Sequence, residues 1–155
     1  MSGEANDADL YFMSIAIKEA KKAARLGETP VGAVVVRDGE IVSKAHNLRE
    51  SGRCALFHAE TMAVYLANRA LGGWRLPGCA IYVTLEPCPM CAGAIVNSRI
   101  ERVVFGASDP KAGCFGSVIN FNDLPFNHKP LVTGGVMEEE CAALLSDFFS
   151  SLRRK

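Results

Sequence analysis

The sequence predicts an α/β fold with a mixed sheet of roughly five strands and helices on both faces. Three observations carry that prediction. Apolar stripes at helical spacing alternate with short apolar runs rich in β-branched residues along the chain. Asp38-Gly39 joins the first two runs as a hairpin turn. Helix-length segments follow in the spacing that covers both faces of a sheet. No repeat, low-complexity stretch or linker interrupts the pattern, so residues 1–155 read as one domain.

The first helix is expected over residues 8–26, with Leu10, Met13, Ile17, Ala20 and Ala24 as its apolar stripe and Asp7 or Asp9 as its cap. Lys18, Lys21, Lys22 and Arg25 fall off the stripe and read as a solvated face. Gly27 ends the helix. Residues 31–36 form a continuous apolar run, as in a strand covered on both faces, and residues 41–46 return as the second strand. A polar loop over 47–57 leads to a helix over 58–70, closed by Gly72-Gly73. Residues 79–84 make the third strand, 88–97 a helix and 102–105 the fourth strand. Residues 108–130 are irregular, broken by Asp109-Pro110, Gly113 and Gly116, and so long a loop is functional or mobile. Residues 131–133 are a short fifth strand. The last helix spans 138–152 with Cys141, Leu144, Leu145, Phe148, Phe149 and Leu152 as its stripe.

Chemistry concentrates in two short motifs. Pro87-Cys88-Pro89-Met90-Cys91 sets two cysteines three apart at a helix start, where i and i+3 share a face and both thiolates can reach one ion. The prolines suit a first turn, because the ring presets φ and its missing N–H was unpaired there anyway. The positive helix end favours the thiolate, which is the ligating form. His58, in His58-Ala59-Glu60, would supply the third ligand as a neutral imidazole. One imidazole and two thiolates suit zinc. Three protein ligands leave a position for water or hydroxide, as in a catalytic site. Glu60 stands two residues past His58, poorly placed to share its metal and better placed to move protons beside it. Cys54, four residues before His58, competes for the open position, and its thiolate would expel the water. Both motifs open a helix, so two positive helix ends are expected to converge on one ion. Cys79 and Cys141 read as small core residues, Cys114 as a free loop thiol and Glu86 as a cap. His46 and His128 read as surface or loop histidines without partners.

Composition excludes several classes. Apolar residues make up 49 % of the chain, enough for a core without disulfides. No apolar run approaches the ~18 residues of a membrane span. The polar, acidic stretch 1–9 is unlike a secretory signal. Six cysteines, two of them in metal spacing, point to a reducing cytoplasm. Lys plus Arg equals Asp plus Glu at 17 each, so net charge gives no sign of nucleic-acid binding and any phosphate contact must be local.

His-x-Glu followed by Pro-Cys-x-x-Cys resembles the general signature of the zinc deaminases of bases and nucleosides, a known pattern rather than a deduction from this chain. Within that cytidine deaminase-like superfamily, the chain resembles the bacterial tRNA adenosine deaminases over nearly its whole length. Asp109-Pro110-Lys111-Ala112-Gly113 and Leu145-Ser146-Asp147-Phe148-Phe149 carry the narrower likeness. The resemblance implies a three-layer α/β/α sandwich, a homodimer, and conversion of the wobble adenosine in a tRNA anticodon loop to inosine. It implies one zinc held by His58, Cys88 and Cys91, with Glu60 as proton shuttle. It implies substrate contacts at Asn47, Asp109, Lys111, Phe149, Arg153 and Arg154. Cys54-Ala55-Leu56-Phe57 departs from the family's usual Asp-Pro-Thr-Ala, which makes this loop less polar and ends it in a ring beside the ligand. Two other classes stay open: a deaminase of a free base or nucleoside, and a non-catalytic zinc- and RNA-binding subunit, against which Glu60 argues.

Overall fold

A computed structural model describes residues 5–154. In order, the elements are α1 (Asp7–Arg25), β1 (Gly32–Arg37), β2 (Glu40–His46), α2 (Ala59–Leu71), β3 (Cys79–Leu85), α3 (Pro89–Asn97), β4 (Arg102–Ala107), a single 3-10 turn (Phe121–Asp123), β5 (Leu131–Thr133) and α4 (Glu138–Arg153). The strands form one sheet in the order β2-β1-β3-β4-β5. β1 runs antiparallel to β2 and β3, and β3, β4 and β5 run parallel, so the sheet is mixed as expected. Asp38 and Gly39 turn the β1–β2 hairpin with φ of 52° and 76°, the pair of positive values that matches strand twist.

The alternation of strand side chains divides the core in two. Ala33 and Val35 of β1 face α2 and α3, with Ala63, Ile81, Val83 and Ile95 around them. Val34 and Val36 face the other way, onto Phe12, Met13 and Ala16 of α1. Both faces of β1 are therefore covered, as its unbroken apolar run requires.

The stripe of α1 is the expected one in part: Met13, Ile17 and Ala20 are buried as expected, whereas Leu10 and Ala24 are not. Asp9, Phe12, Met13, Ala16, Ile17, Ala20 and Ala23 are buried, while Leu10 is 47 % exposed. Asp9 explains the rotation. Its carboxylate accepts bonds from Arg102 at 2.7 and 2.8 Å and from the Tyr82 hydroxyl at 2.8 Å. A charged group thus sits on the inner face and turns Leu10 outward. Burial alone would raise the Asp9 carboxyl, but the Arg102 and Tyr82 bonds outweigh it and hold it below its ordinary value. Asn6, rather than Asp7 or Asp9, caps the helix, and Asp9 completes a capping box with it.

Three further expectations change. In α4 only Cys141 is buried; it lies over Gly106, and beyond Leu144 the stripe joins neither core. Segment 108–130 carries the 3-10 turn and a Phe115–Asn120 bridge, and Cys114 and Phe115 enter the core, so Cys114 is a free thiol in the loop, as expected, but a buried one. His46 and His128 both have partners: Nδ1 of His46 is 3.1 Å from Glu19 Oε1, and Nε2 of His128 is 2.6 Å from the Ile100 carbonyl.

Candidate active site

β3 and β4 end side by side at Leu85 and Ala107, and the chain leaving them opens a cleft at the carboxyl ends of parallel strands. Its volume is about 580 Å³ including the open mouth. His58 and Cys88 occupy equivalent places. Each is the N-cap of its helix, α2 and α3, in extended backbone at φ −78° and −76°. An N-cap side chain ordinarily bonds back to its own helix. Neither of these does, so both are free to face an ion. Cys91 sits one turn into α3 and is buried. Nδ1 of His58 is 3.5 Å from each sulfur, and the three donor atoms lie within 4.8 Å of one another. Tetrahedral zinc, with bonds of about 2.3 Å to sulfur and about 2.0 Å to nitrogen, holds N and S about 3.5 Å apart. The donor set and its spacing therefore fit zinc. Cys54 is not in the group.

The electrostatics are those of a cluster packed at two helix ends. The Cys91 thiol, donating to Cys88, pulls the Cys88 thiol down to about 4 against its burial, and His58 adds to the pull. That same bond and burial push Cys91 up. His58 is raised by its contact with Cys88. Glu60, in the first turn of α2 and 4 % exposed, lines the cleft beside them. Burial pushes its carboxyl up to about 7, with the Cys88 charge adding to the rise and His58 opposing it.

Of the other residues singled out by sequence, Asn47 and Asp109 line the cleft. Asn47 is 6 % exposed, and its amide is half used: Nδ2 donates to the Thr29 carbonyl and Oδ1 accepts from the Arg49 N–H, each at 3.2 Å. One N–H and one lone pair remain for a ligand. Lys111 is exposed beside the lining residues Asp109 and Ala112, and its N–H donates to Asp109 Oδ1. Phe149, Arg153 and Arg154 lie at the end of α4, outside the cleft lining.

Three residues beyond the expected site set shape the cleft: Glu28 and Arg49, which the sequence did not mark, and Glu86, which it marked only as a cap. Glu86 is no cap. It is 2 % exposed and accepts from the N–H groups of Asp109, Phe115 and Ser117 and from the Ser117 hydroxyl. Gly113 passes so close that a Cβ there would fall 2.3 Å from the Glu86 carboxyl carbon. Glu28, fully buried, accepts from the Glu50 and Ser51 N–H groups and the Ser51 hydroxyl. Arg49 is the one Lys or Arg lining the cleft among the described residues.

Residues 6–107 match the family model of the cytidine and deoxycytidylate deaminase zinc-binding region. The chain is also 56 % identical over 148 residues to the tRNA-specific adenosine deaminase of Bacillus subtilis, covering 95 % of this chain and 92 % of that one. The chain belongs to the tRNA-specific adenosine deaminase family. Another member, from Aquifex aeolicus, is 48 % identical over 92 % of this chain and 95 % of its own. A solved structure from studies of A-to-I editing by tRNA:A34 deaminases is 43 % identical, with a TM-score of 0.85 over 87 % of this chain and 99 % of that chain. The guanine deaminase of Nitrosomonas europaea, 22 % identical at a TM-score of 0.81 over 97 % and 87 % of the two chains, shares the fold.

Proposed function

We propose that this chain is a zinc-dependent hydrolytic deaminase that converts the wobble adenosine of a tRNA anticodon loop to inosine, releasing ammonia. Residues 1–155 act as one domain, in the cytoplasm, with one zinc per chain held by His58, Cys88 and Cys91. The observation that carries the chemistry is the buried carboxylate of Glu60 in the same cleft as those donors. The substrate follows from the tRNA-specific relatives.

Zinc, when bound, supplies Lewis-acid activation of a water. Glu60 accepts a proton from that water as its oxygen bonds to C6 of adenine, and delivers it to ring nitrogen N1. Glu60 then moves the second proton from the new hydroxyl to the exocyclic amine. The C6–N bond breaks, C6 becomes a carbonyl, and ammonia leaves. A carboxylate buried in the cleft beside the zinc donors is placed to alternate between base and acid. Asn47 and Asp109 are assigned to the base and its nucleotide. Lys111, Phe149 and Arg153 are assigned to the RNA path outside the cleft. A single-stranded loop makes extrusion of the base into a closed site cheaper than a duplex would. The chain acts as a homodimer in this reading.

The test pairs an anticodon stem-loop bearing the wobble adenosine with a panel of free adenosine, cytosine and guanine. Inosine in the RNA alone, lost by about 10²–10⁴-fold in Glu60→Gln with zinc retained, is the expected result. Ammonia from the panel alone would replace this reading with a free-base deaminase. Silence in both, with zinc bound, would leave a non-catalytic subunit.

A further inference from the structure

We propose that Arg49, presented at the cleft by a loop that Glu28 fastens from beneath, binds a backbone phosphate of the substrate and so sets the site's preference for a polynucleotide over a free base or nucleoside. The inference rests on the tRNA reading above and assigns it a residue.

Among the described residues no other Lys or Arg lines the cleft, and Lys111 stands outside its lining. The cleft's titratable lining comprises Glu60, Glu86, Asp109, His58 and Cys88, with Arg49 alone carrying a permanent positive charge. Two thiolates balance one divalent ion, so the protein side of a loaded site remains acidic. A phosphodiester beside such a site needs a counter-charge, and zero net charge on the chain means that it must be local. A guanidinium presents the planar fork that fits phosphate oxygens. Arg49 has no strong partner of its own. Its nearest acid, Glu50, is 3.8 Å away, and the two side chains are 50 % and 73 % exposed. Such a loose, solvated pair gives way readily to a ligand.

The placement of Arg49 is built. Its N–H donates to Asn47 Oδ1, and its carbonyl accepts from the Cys54 N–H. The next two residues, Glu50 and Ser51, donate to the fully buried Glu28 carboxylate. Glu28 is followed directly by Thr29, whose carbonyl holds the Asn47 amide. Asn47, Arg49 and His58 thus belong to one loop with one anchor, and a phosphate on Arg49 fixes the nucleotide relative to the group that faces its base. Glu28 is a positioning residue in this scheme.

The experiment measures stem-loop deamination and binding as a function of salt. Arg49→Ala should raise KM about tenfold, with the loss falling on KM rather than kcat. It should flatten the slope of log affinity against log salt by about 0.7, the share of one single-strand phosphate. Arg49→Lys should recover most of the slope. Glu28→Gln should reproduce part of the KM effect. Should it fold poorly, Ser51→Ala, which removes one side-chain donor only, tests the same anchor. An unchanged salt slope in Arg49→Ala, with the wild type active on RNA, overturns the inference alone. A wild type that neither binds nor deaminates the stem-loop removes the tRNA reading and this inference with it.

Discussion

Glu28 and Glu86 each lie beneath one wall of the cleft, and each holds its wall by accepting backbone N–H groups and a serine hydroxyl. Their surroundings differ. Glu86 stands two residues before Cys88, its own N–H donates to the Ala107 carbonyl, and the Cys114 N–H donates to the Pro87 carbonyl. The wall over 109–117 and the candidate ligands Cys88 and Cys91 are therefore one piece of structure. The wall over 47–57 closes on itself through bonds from Leu48 N–H to the Phe57 carbonyl and from Gly52 N–H to the Leu48 carbonyl. It meets the ligands only at its last bond, into His58. One wall cannot move without moving a ligand. The other is a module that holds its own shape through bonds between its own backbone groups.

The largest test of that contrast replaces each anchor. A glutamine offers one acceptor oxygen and turns an NH₂ toward N–H donors, leaving buried groups unpaired. Glu86→Gln is expected to cost about 2–4 kcal/mol in urea unfolding and to lower zinc per chain. Glu28→Gln is expected to cost about 1–3 kcal/mol with zinc content kept. Equal zinc loss in both would end the distinction. Gly113→Ala should act like a weaker Glu86 change, at about 1–3 kcal/mol, because its Cβ meets a carboxylate that is held by its donors. Gly52→Ala should cost less in the same measurement. Its Cβ meets the ring of Phe57, which is 37 % exposed and can swing outward, so that only the Leu48 carbonyl, 2.9 Å away, has to give.

A smaller effect is expected from pH. Burial alone would raise the Glu28 carboxyl, but the bonds from Ser51 and Glu50 outweigh it and hold it below the ordinary 4.5. A carboxyl depressed in the folded state contributes stability that is present above the unfolded value and lost as pH falls through the folded one. Wild type and Glu28→Gln should therefore differ in stability at neutral pH and converge below about pH 4.5. A difference that persists unchanged through that range would show that the carboxylate charge is not what the loop uses.

The legible parts of this molecule were the local ones. His58, Glu60, Cys88 and Cys91 are marked by spacings of two and three residues, and their helix-start positions follow from the prolines and the apolar periodicity. The strands were legible because β1 is apolar on both faces. The failures share a different cause, which is partners far along the chain. Asp9 turns α1 because Arg102 lies 93 residues away. Glu28 and Glu86 find their donors 22 to 31 residues on, in loops with no periodicity. The α4 stripe is perfect at helical spacing, yet only its start reaches the sheet. Periodicity states which face a helix offers but not whether anything is there to cover it.

The smallest expected effect is the most direct check on the movable wall. Cys54 is half-buried, and its backbone, not its sulfur, does the structural work: its N–H donates to the Arg49 carbonyl and its carbonyl accepts from Phe57. Serine keeps both bonds and nearly the same volume. Cys54→Ser should retain one zinc per chain by metal analysis, wild-type deamination, and stability within about 0.5 kcal/mol. Loss of zinc in this variant would mean that the loop reaches into the coordination sphere after all. The open position would then be closed, and the two walls would be tied to the metal alike.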